Sequence, residues 1–229
     1  GAPMNQETEA FLMTIKFPIT IGYGMTECAP LISFTPDNEF KAGSCGRYLS
    51  QFIDVRIDSD DPQHKAGEIL VRGEHVMKGY YKNDKDTERV LDADGWLHTG
   101  DMATMDPDGP LYIRGRSKTM ILSGSGQNIY PEEIEDKLNN MYLVLESLIM
   151  ESEGRLKALV VPDFEQAEQE GVDKSELPAI MENNIRELNK LVAGYEQVAD
   201  FTIYPTEFEK TPKRSNKRYL YSPALLNKN

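Results

Sequence analysis

The chain has 229 residues and a formal net charge of -13, which leaves room for one large domain or two small ones and argues against a nucleic-acid-binding surface. No apolar run approaches the roughly 18 residues that cross a bilayer, so no transmembrane segment is expected. Two cysteines and three unclustered histidines predict no structural zinc site and favour a cytoplasmic setting, with peripheral attachment to a membrane left open.

The N-terminal part begins with a predicted short helix. Asn5 is a suitable N-cap, acidic residues follow it in the first turn, and Pro18 ends the helix. Residues 19–21 predict a strand that enters a glycine-rich turn. From about residue 45 to 113 short β-type runs alternate with turns such as Asp94-Gly95 and Asp108-Gly109, which predicts a small twisted sheet or barrel.

The pattern after Arg116 is mixed. Pro131 and the acids after it start a helix, strands are expected at 143–150, 156–161 and 201–204, and a helix is indicated by the stripe Ile185, Leu188, Leu191 and Val192. The predicted fold class is α+β with two domains. Residues 1–116 form a β-rich unit, and residues 117–229 form a second α+β unit.

Three motifs carry candidate chemistry. In Gly22-Tyr23-Gly24-Met25-Thr26-Glu27 the tyrosine offers a flat face to a base, the threonine a hydroxyl to phosphate, and the carboxylate a ligand to Mg²⁺. Asp101, which follows Gly100, can accept hydrogen bonds from a ribose diol. The run from Gly115 to Gly126 is rich in glycine and serine but lacks the Gly-Lys-Ser/Thr ending of a Walker loop. Each motif alone is also consistent with ordinary turn chemistry.

Together and in this order, the motifs resemble the adenylate-forming superfamily of acyl-CoA synthetases, luciferases and peptide-synthetase adenylation domains. The similarity runs from Gly22 to Arg218 and includes Gly67-Glu68-Ile69-Leu70 and Gly79-Tyr80-Tyr81, a stretch that is mainly structural in the family. Residues 128–135 and the ending Lys217-Arg218-Tyr219-Leu220-Tyr221 look most like bacterial long-chain fatty-acid–CoA ligases.

The resemblance implies a role for each matching residue, with ATP, Mg²⁺, coenzyme A and a fatty acid or other carboxylic acid as partners. Tyr23 and Gly24 would meet adenine, Thr26 the α-phosphate, and Glu27 the Mg²⁺ ion. Asp101 would bind the ribose with help from Arg116. Lys118 would lie at the hinge of a mobile C-terminal domain, and Gly126 beside the pantetheine thiol.

Two departures from the family pattern affect the expected activity. Nothing before Gly22 resembles the family's phosphate loop, and Gly1-Ala2-Pro3 looks like a family segment near adenine. We therefore expect a C-terminal fragment that is inactive alone. Ser215 occupies the position of the family's adenylation lysine. Lys213 is the predicted substitute and Lys217 the alternative, on the assumption that this segment is extended and its side chains alternate.

The basic residues of the tail have two interpretations. Lys210, Lys213, Arg214, Lys217 and Arg218 either meet a phosphate or are simply solvated. For the whole protein, three functions stay open: a fatty-acid–CoA ligase, an adenylation domain that loads a carrier protein, and a non-catalytic interaction module descended from the fold.

Overall fold

The computed structural model describes residues 4–212 and 215–221, and the chain divides into two compact units. The first unit is Met4–Lys118 and the second begins at Thr119. Each has its own hydrophobic core. Among the described residues, no helix is long and apolar enough to cross a membrane.

The first unit combines two helices with two antiparallel sheets. In chain order its elements are α1 (Gln6–Thr14), β1 (Gly22–Gly24), β2 (Leu31–Phe34), β3 (Arg47–Tyr48), β4 (Ile53–Asp58), β5 (Gly67–Gly73), α2 (Asp84–Val90), β6 (Leu97–Met105) and β7 (Leu111–Arg116). The sheets have the orders β1-β2-β3 and β4-β5-β6-β7. As predicted, α1 is capped by Asn5, whose Oδ1 accepts hydrogen bonds from the N–H groups of Glu7 and Thr8.

The four-stranded sheet is the small twisted sheet that the sequence predicts, and it does not close into a barrel. Its strand β4 alternates strictly, because Ile53, Val55 and Ile57 face the core while the residues between them are exposed. The hairpin of β6 and β7 turns at Asp108-Gly109, where the glycine has a φ of +101°. Glycine is favoured at this position because it adopts a positive φ without the steric cost of a Cβ.

The strand expected at residues 19–21 is misplaced, because the first strand is Gly22–Gly24 itself. Its two glycines allow β2 to come close. A Cβ on Gly24 would lie 1.9 Å from the carbonyl oxygen of Pro30, and one on Gly22 would lie 2.9 Å from that of Ser33. These glycines therefore admit the backbone of the chain's own next strand, β2.

The second unit packs helices against a three-stranded sheet. Its elements are β8 (Ile121–Leu122), β9 (Asn128–Ile129), α3 (Pro131–Asn139), β10 (Val144–Ser152), β11 (Arg155–Pro162), α4 (Phe164–Glu170), α5 (Leu177–Leu191) and β12 (Val198–Ile203). Strands β10 and β11 are antiparallel, and α4 and α5 form the crossover to β12, which runs parallel to β11. The predicted stripe on α5 is buried at Ile185 and Leu188, but Leu191 is exposed at the end of the helix.

Candidate functional site

Tyr23 and Asp101, which are 78 residues apart in sequence, meet in the first unit. The Tyr23 hydroxyl donates a hydrogen bond of 2.7 Å to Oδ2 of Asp101. Arg116 lies opposite Asp101 on β7, and its Nε is 3.1 Å from Oδ1 of Asp101. Three of the residues that the sequence selects for nucleotide binding thus form one hydrogen-bonded network.

A bulge within β6 positions Asp101. The pairing of β5 with β6 changes register next to Glu68, and Gly100 takes a φ of +73°. The N–H of Gly100 donates a hydrogen bond of 2.8 Å to Oε1 of Glu68, whose Oε2 contacts Nδ1 of His98 at 2.9 Å. Because bulges re-aim side chains, Asp101 owes its direction to this irregularity inside strand β6.

The electrostatics of the network fix the role of each group. Burial, followed by the charge of Asp101, raises the pKa of Tyr23 far above its ordinary value, so the hydroxyl stays protonated and acts as a donor. Asp101 is only 7% exposed, whereas the side chain of Arg116 is 70% exposed. An ionised carboxylate has about four lone-pair sites, and Tyr23 and Arg116 each use one, so Asp101 keeps the capacity to accept from a diol.

Thr26 and Glu27 follow β1 in a one-turn 3-10 helix, Thr26–Cys28. Thr26 is exposed and Glu27 is half-buried. Oε1 of Glu27 accepts a hydrogen bond of 2.9 Å from the Tyr80 hydroxyl, while none of the described residues donates to its Oε2. One carboxylate with an open oxygen fits Mg²⁺, which proteins commonly bind through one or two carboxylates together with substrate phosphates.

Among the described residues, no group of three or more His, Cys, Asp or Glu side chains is arranged to hold a metal ion. Sequence reasoning does not single out Glu68 or Tyr80, because both lie in the stretch that the resemblance marks as structural. Each sits beside a glycine, but its partner is 30 or more residues away and is identified only by the fold.

In the second unit, Gly126 lies in the exposed loop that joins β8 and β9. It has a φ of +78°, and a Cβ built there would meet no atom within 4 Å. Ser123 ties the loop together, because its carbonyl accepts from the N–H of Gly126 at 2.9 Å and its Oγ from the N–H of Gln127 at 2.9 Å. The loop therefore has a defined shape with open space beside Gly126.

The basic residues of the tail that the structure describes are paired with carboxylates of the same unit. Arg218 contacts buried Glu135 and donates a hydrogen bond of 3.2 Å to the carbonyl of Ile149. Lys210 lies 3.1 Å from Glu146, and Lys217 lies 3.1 Å from Glu209. Each of these three cations has a carboxylate partner in its own unit, so the interpretation of the cluster as a free phosphate-binding patch does not hold for them.

The side chain of Glu135, which pairs with Arg218, is buried. Burial raises the pKa of Glu135 to about 7, and the charge of Arg218 opposes this rise. Glu135 lies on α3, so its contact with Arg218 joins the end of the described chain to this helix. Glu135 also accepts a hydrogen bond of 2.6 Å from the N–H of Ile149 on β10. The tail is thereby fixed to the body of the second unit.

The segment around Ser215 is not the extended run that the sequence predicts. The N–H of Thr211 donates a hydrogen bond of 2.8 Å to the carbonyl of Ser215, and Lys210 and Asn216 form an isolated antiparallel β-bridge, so the described residues on the two sides of this segment pair with each other. The argument from alternating side chains therefore fails. Lys213 lies outside the described residues, as do Arg214 and the N-terminal run Gly1-Ala2-Pro3. Lys118, the predicted hinge, is the last residue of the first unit.

Comparison with known proteins shows which families this chain is similar to. Residues 1–81 match the model of the AMP-binding enzymes. The chain is 48% identical, over 119 residues, to a long-chain-fatty-acid–CoA ligase of Salmonella typhimurium; this is 50% of the chain and 21% of that protein. The chain is also 33% identical, over 223 residues, to a putative fatty-acid–CoA ligase of Mycobacterium tuberculosis; this is 91% of the chain and 38% of that protein. The chain is related to the AMP-binding, adenylate-forming enzymes.

The fold agrees with that of these adenylate-forming enzymes. The o-succinylbenzoate–CoA synthetase of Bacillus subtilis, in complex with ATP and a magnesium ion, superimposes with a TM-score of 0.76 at 28% identity. The match covers 96% of this chain and 44% of that chain. The chain thus spans less than half the length of these relatives.

Proposed function

We propose that this chain is the C-terminal portion of an ATP-dependent, AMP-forming ligase that joins a fatty acid to coenzyme A. The network of Tyr23, Asp101 and Arg116 is the observation that supports this most directly. It gathers an aromatic ring, a buried carboxylate and a cation, which are the groups that a nucleoside requires. The similarity to fatty-acid–CoA ligases supports the choice of acid and thiol.

The reaction proceeds in two steps because a carboxylate is a poor electrophile. In the first, a carboxylate oxygen of the fatty acid bonds to the α-phosphorus of ATP, and the bond from that phosphorus to pyrophosphate breaks. In the second, the thiol sulfur of coenzyme A bonds to the acyl carbon and loses its proton, while the acyl carbon–oxygen bond breaks and AMP leaves.

The residues of the first unit bind and orient the nucleotide in this proposal. The ring of Tyr23 and the adjacent backbone of Gly24 face adenine, and Asp101 accepts hydrogen bonds from the ribose hydroxyls with Arg116 beside it. The exposed hydroxyl of Thr26 donates to an α-phosphate oxygen. Glu27 holds Mg²⁺, and the bound ion would stabilise the charge that develops on the phosphate oxygens.

We assign the stabilising cation of the first step to Lys213. Lys217, the alternative, is paired with Glu209, and Ser215 carries no charge. In the thioester-forming step, the loop at Gly126 would border the thiol, and the chain would turn about Lys118 between the two steps. We further propose that residues 1–116 belong to the nucleotide-binding domain and residues 117–229 to the mobile domain.

A carrier-protein-loading adenylation domain would use the same residues but pass the acyl group to a protein-bound pantetheine. A non-catalytic interaction module has less support, because it gives no reason for Tyr23, Asp101 and Arg116 to be connected. The two enzymatic hypotheses differ in the acceptor of the acyl group, so transfer of the acyl group to free coenzyme A distinguishes them.

The test is CoA-dependent AMP release by the full-length protein that contains this chain, measured across a ladder of fatty-acid lengths. We expect release that requires both the acid and coenzyme A. Adenylation without transfer to free coenzyme A would favour the carrier-loading function, and no acid-dependent AMP from any carboxylate would refute both.

The 229-residue chain alone is expected to stay at background in ATP–pyrophosphate exchange, because it spans only 44% of a related complete fold. Exchange by the isolated chain would contradict this part of the proposal.

A further inference from the structure

We propose that Tyr80 is a positioning residue that holds the Glu27 carboxylate in place for Mg²⁺ and so sets the metal dependence of ATP binding and adenylation. This inference rests on the role proposed above for Glu27. It gives a function to the Gly79-Tyr80 pair, which sequence reasoning treats as structural.

The segment 77–80 holds Glu27 at two points. The N–H of Met77 donates a hydrogen bond of 2.8 Å to the carbonyl of Glu27, which fixes the backbone. The Tyr80 hydroxyl donates a hydrogen bond of 2.9 Å to Oε1, which fixes the carboxylate. With both ends held, the side chain of Glu27 has little freedom to rotate, and its Oε2 is left to face a cation.

Tyr80 is itself anchored by helix α2. The N–H of Tyr80 donates a hydrogen bond of 2.9 Å to Oγ1 of Thr87. The Thr87 hydroxyl in turn donates a hydrogen bond of 2.9 Å to the carbonyl of Asn83. Gly79 has a φ of +146°, and a Cβ there would lie 2.9 Å from Cγ2 of Thr87. A glycine is therefore needed for the segment to approach the helix this closely.

The hydroxyl of Tyr80 has one proton to donate, and Oε1 of Glu27 accepts it at 2.9 Å. A hydrogen bond of this kind orients a metal-binding carboxylate, and loss of such a partner typically costs about 10- to 100-fold in metal affinity or activity.

The experiment uses the full-length protein and its Tyr80→Phe variant, which keeps the ring and removes only the hydroxyl. ATP affinity is measured by calorimetry with and without Mg²⁺, alongside the Mg²⁺ dependence of pyrophosphate exchange. We expect the gain in ATP affinity due to Mg²⁺ to fall about 10-fold and half-saturating Mg²⁺ to rise about 10-fold. Metal-free ATP affinity and thioester formation from supplied acyl-adenylate should stay unchanged.

Two controls separate positioning from a general structural effect. Tyr112→Phe removes a matched bond, because the Tyr112 hydroxyl donates to Asp106 at 2.9 Å in the same unit, and it should leave the Mg²⁺ dependence unchanged. In a Glu27→Gln background, Tyr80→Phe should add almost nothing, because the two residues act as one unit.

The outcomes distinguish this inference from the proposed function. Acid-dependent AMP release combined with an unchanged Mg²⁺ dependence in Tyr80→Phe would overturn the inference alone. An inactive parent whose Mg²⁺-dependent ATP binding still needs the Tyr80 hydroxyl would overturn the proposed function alone. A parent without any Mg²⁺-dependent ATP binding, or additive effects of Tyr80→Phe and Glu27→Gln, would overturn the inference in either case.

Discussion

The site of the first unit and the tail of the second unit both present charged residues that the sequence links to ATP, but they hold them differently. Asp101 is buried in a strand bulge, bound by Tyr23 and Arg116, and still has sites to accept from a diol. Lys210, Lys217 and Arg218 are paired with carboxylates of their own unit. Charge in a sequence motif therefore indicates a ligand only when the fold leaves that charge able to meet one.

The largest effect is expected at Lys213. In the full-length protein, Lys213→Ala should slow the proposed adenylation by about 10²- to 10³-fold, the scale for losing a preorganised group that stabilises developing charge. Thioester formation from supplied acyl-adenylate should be little changed, since that step builds no new charge on pyrophosphate. Pyrophosphate exchange and thioester formation are measured separately, and exchange within a few-fold of the parent would rule out this role.

A smaller effect is expected at Tyr23. Tyr23→Phe keeps the ring for adenine but removes the donor to Asp101, and a hydrogen bond to a charged group is worth about 1.5–3 kcal/mol. We expect at least about a 10-fold rise in the KM for ATP. Tyr81→Phe, at an 88% exposed tyrosine, is the matched control. Equal KM values in parent and Tyr23→Phe would show that the hydroxyl does not support the site.

A third prediction concerns stability and pH in the second unit. Because the pKa of Glu135 is raised to about 7 in the folded state, the folded state binds more protons than the unfolded chain between the ordinary pKa of 4.5 and this value. Stability from this group is therefore present at low pH and lost as the pH rises through that window. Urea unfolding at a series of pH values should show this decline in the parent and a flatter profile in Glu135→Gln. The same slope in both proteins would contradict the assignment.

The smallest effect is expected at Lys217. Its side chain is paired with exposed Glu209, and exposed ion pairs contribute about 0–1 kcal/mol. Lys217→Ala should change adenylation by no more than a few-fold, and added salt should reduce the difference. A loss as large as that predicted for Lys213→Ala would identify Lys217 as the stabilising cation instead.

The sequence predicts those parts of the molecule that depend on neighbouring residues. The Asn5 cap identifies α1, and Asp108-Gly109 identifies the hairpin of β6 and β7. The sequence misplaces strand β1 because its glycines carry no side-chain pattern and its pairing depends on β2. The bond from Tyr80 to Glu27 joins residues that are 53 positions apart, and the contact of Arg218 with Glu135 spans 83, so neither could be read from local spacing.

The central claim is that Asp101 binds the nucleotide of an adenylating enzyme. Fatty-acid-dependent ATP–pyrophosphate exchange by the full-length protein and its Asp101→Asn variant tests it most directly. We predict exchange in the parent and a loss of about 100-fold in the variant, because the asparagine amide cannot accept at both positions and hydrogen bonds to a charge are worth about 1.5–3 kcal/mol each. Asp108→Asn, at an exposed residue of the same unit, should exchange like the parent. Equal exchange by the parent and Asp101→Asn, or no acid-dependent exchange in the parent, would contradict the account.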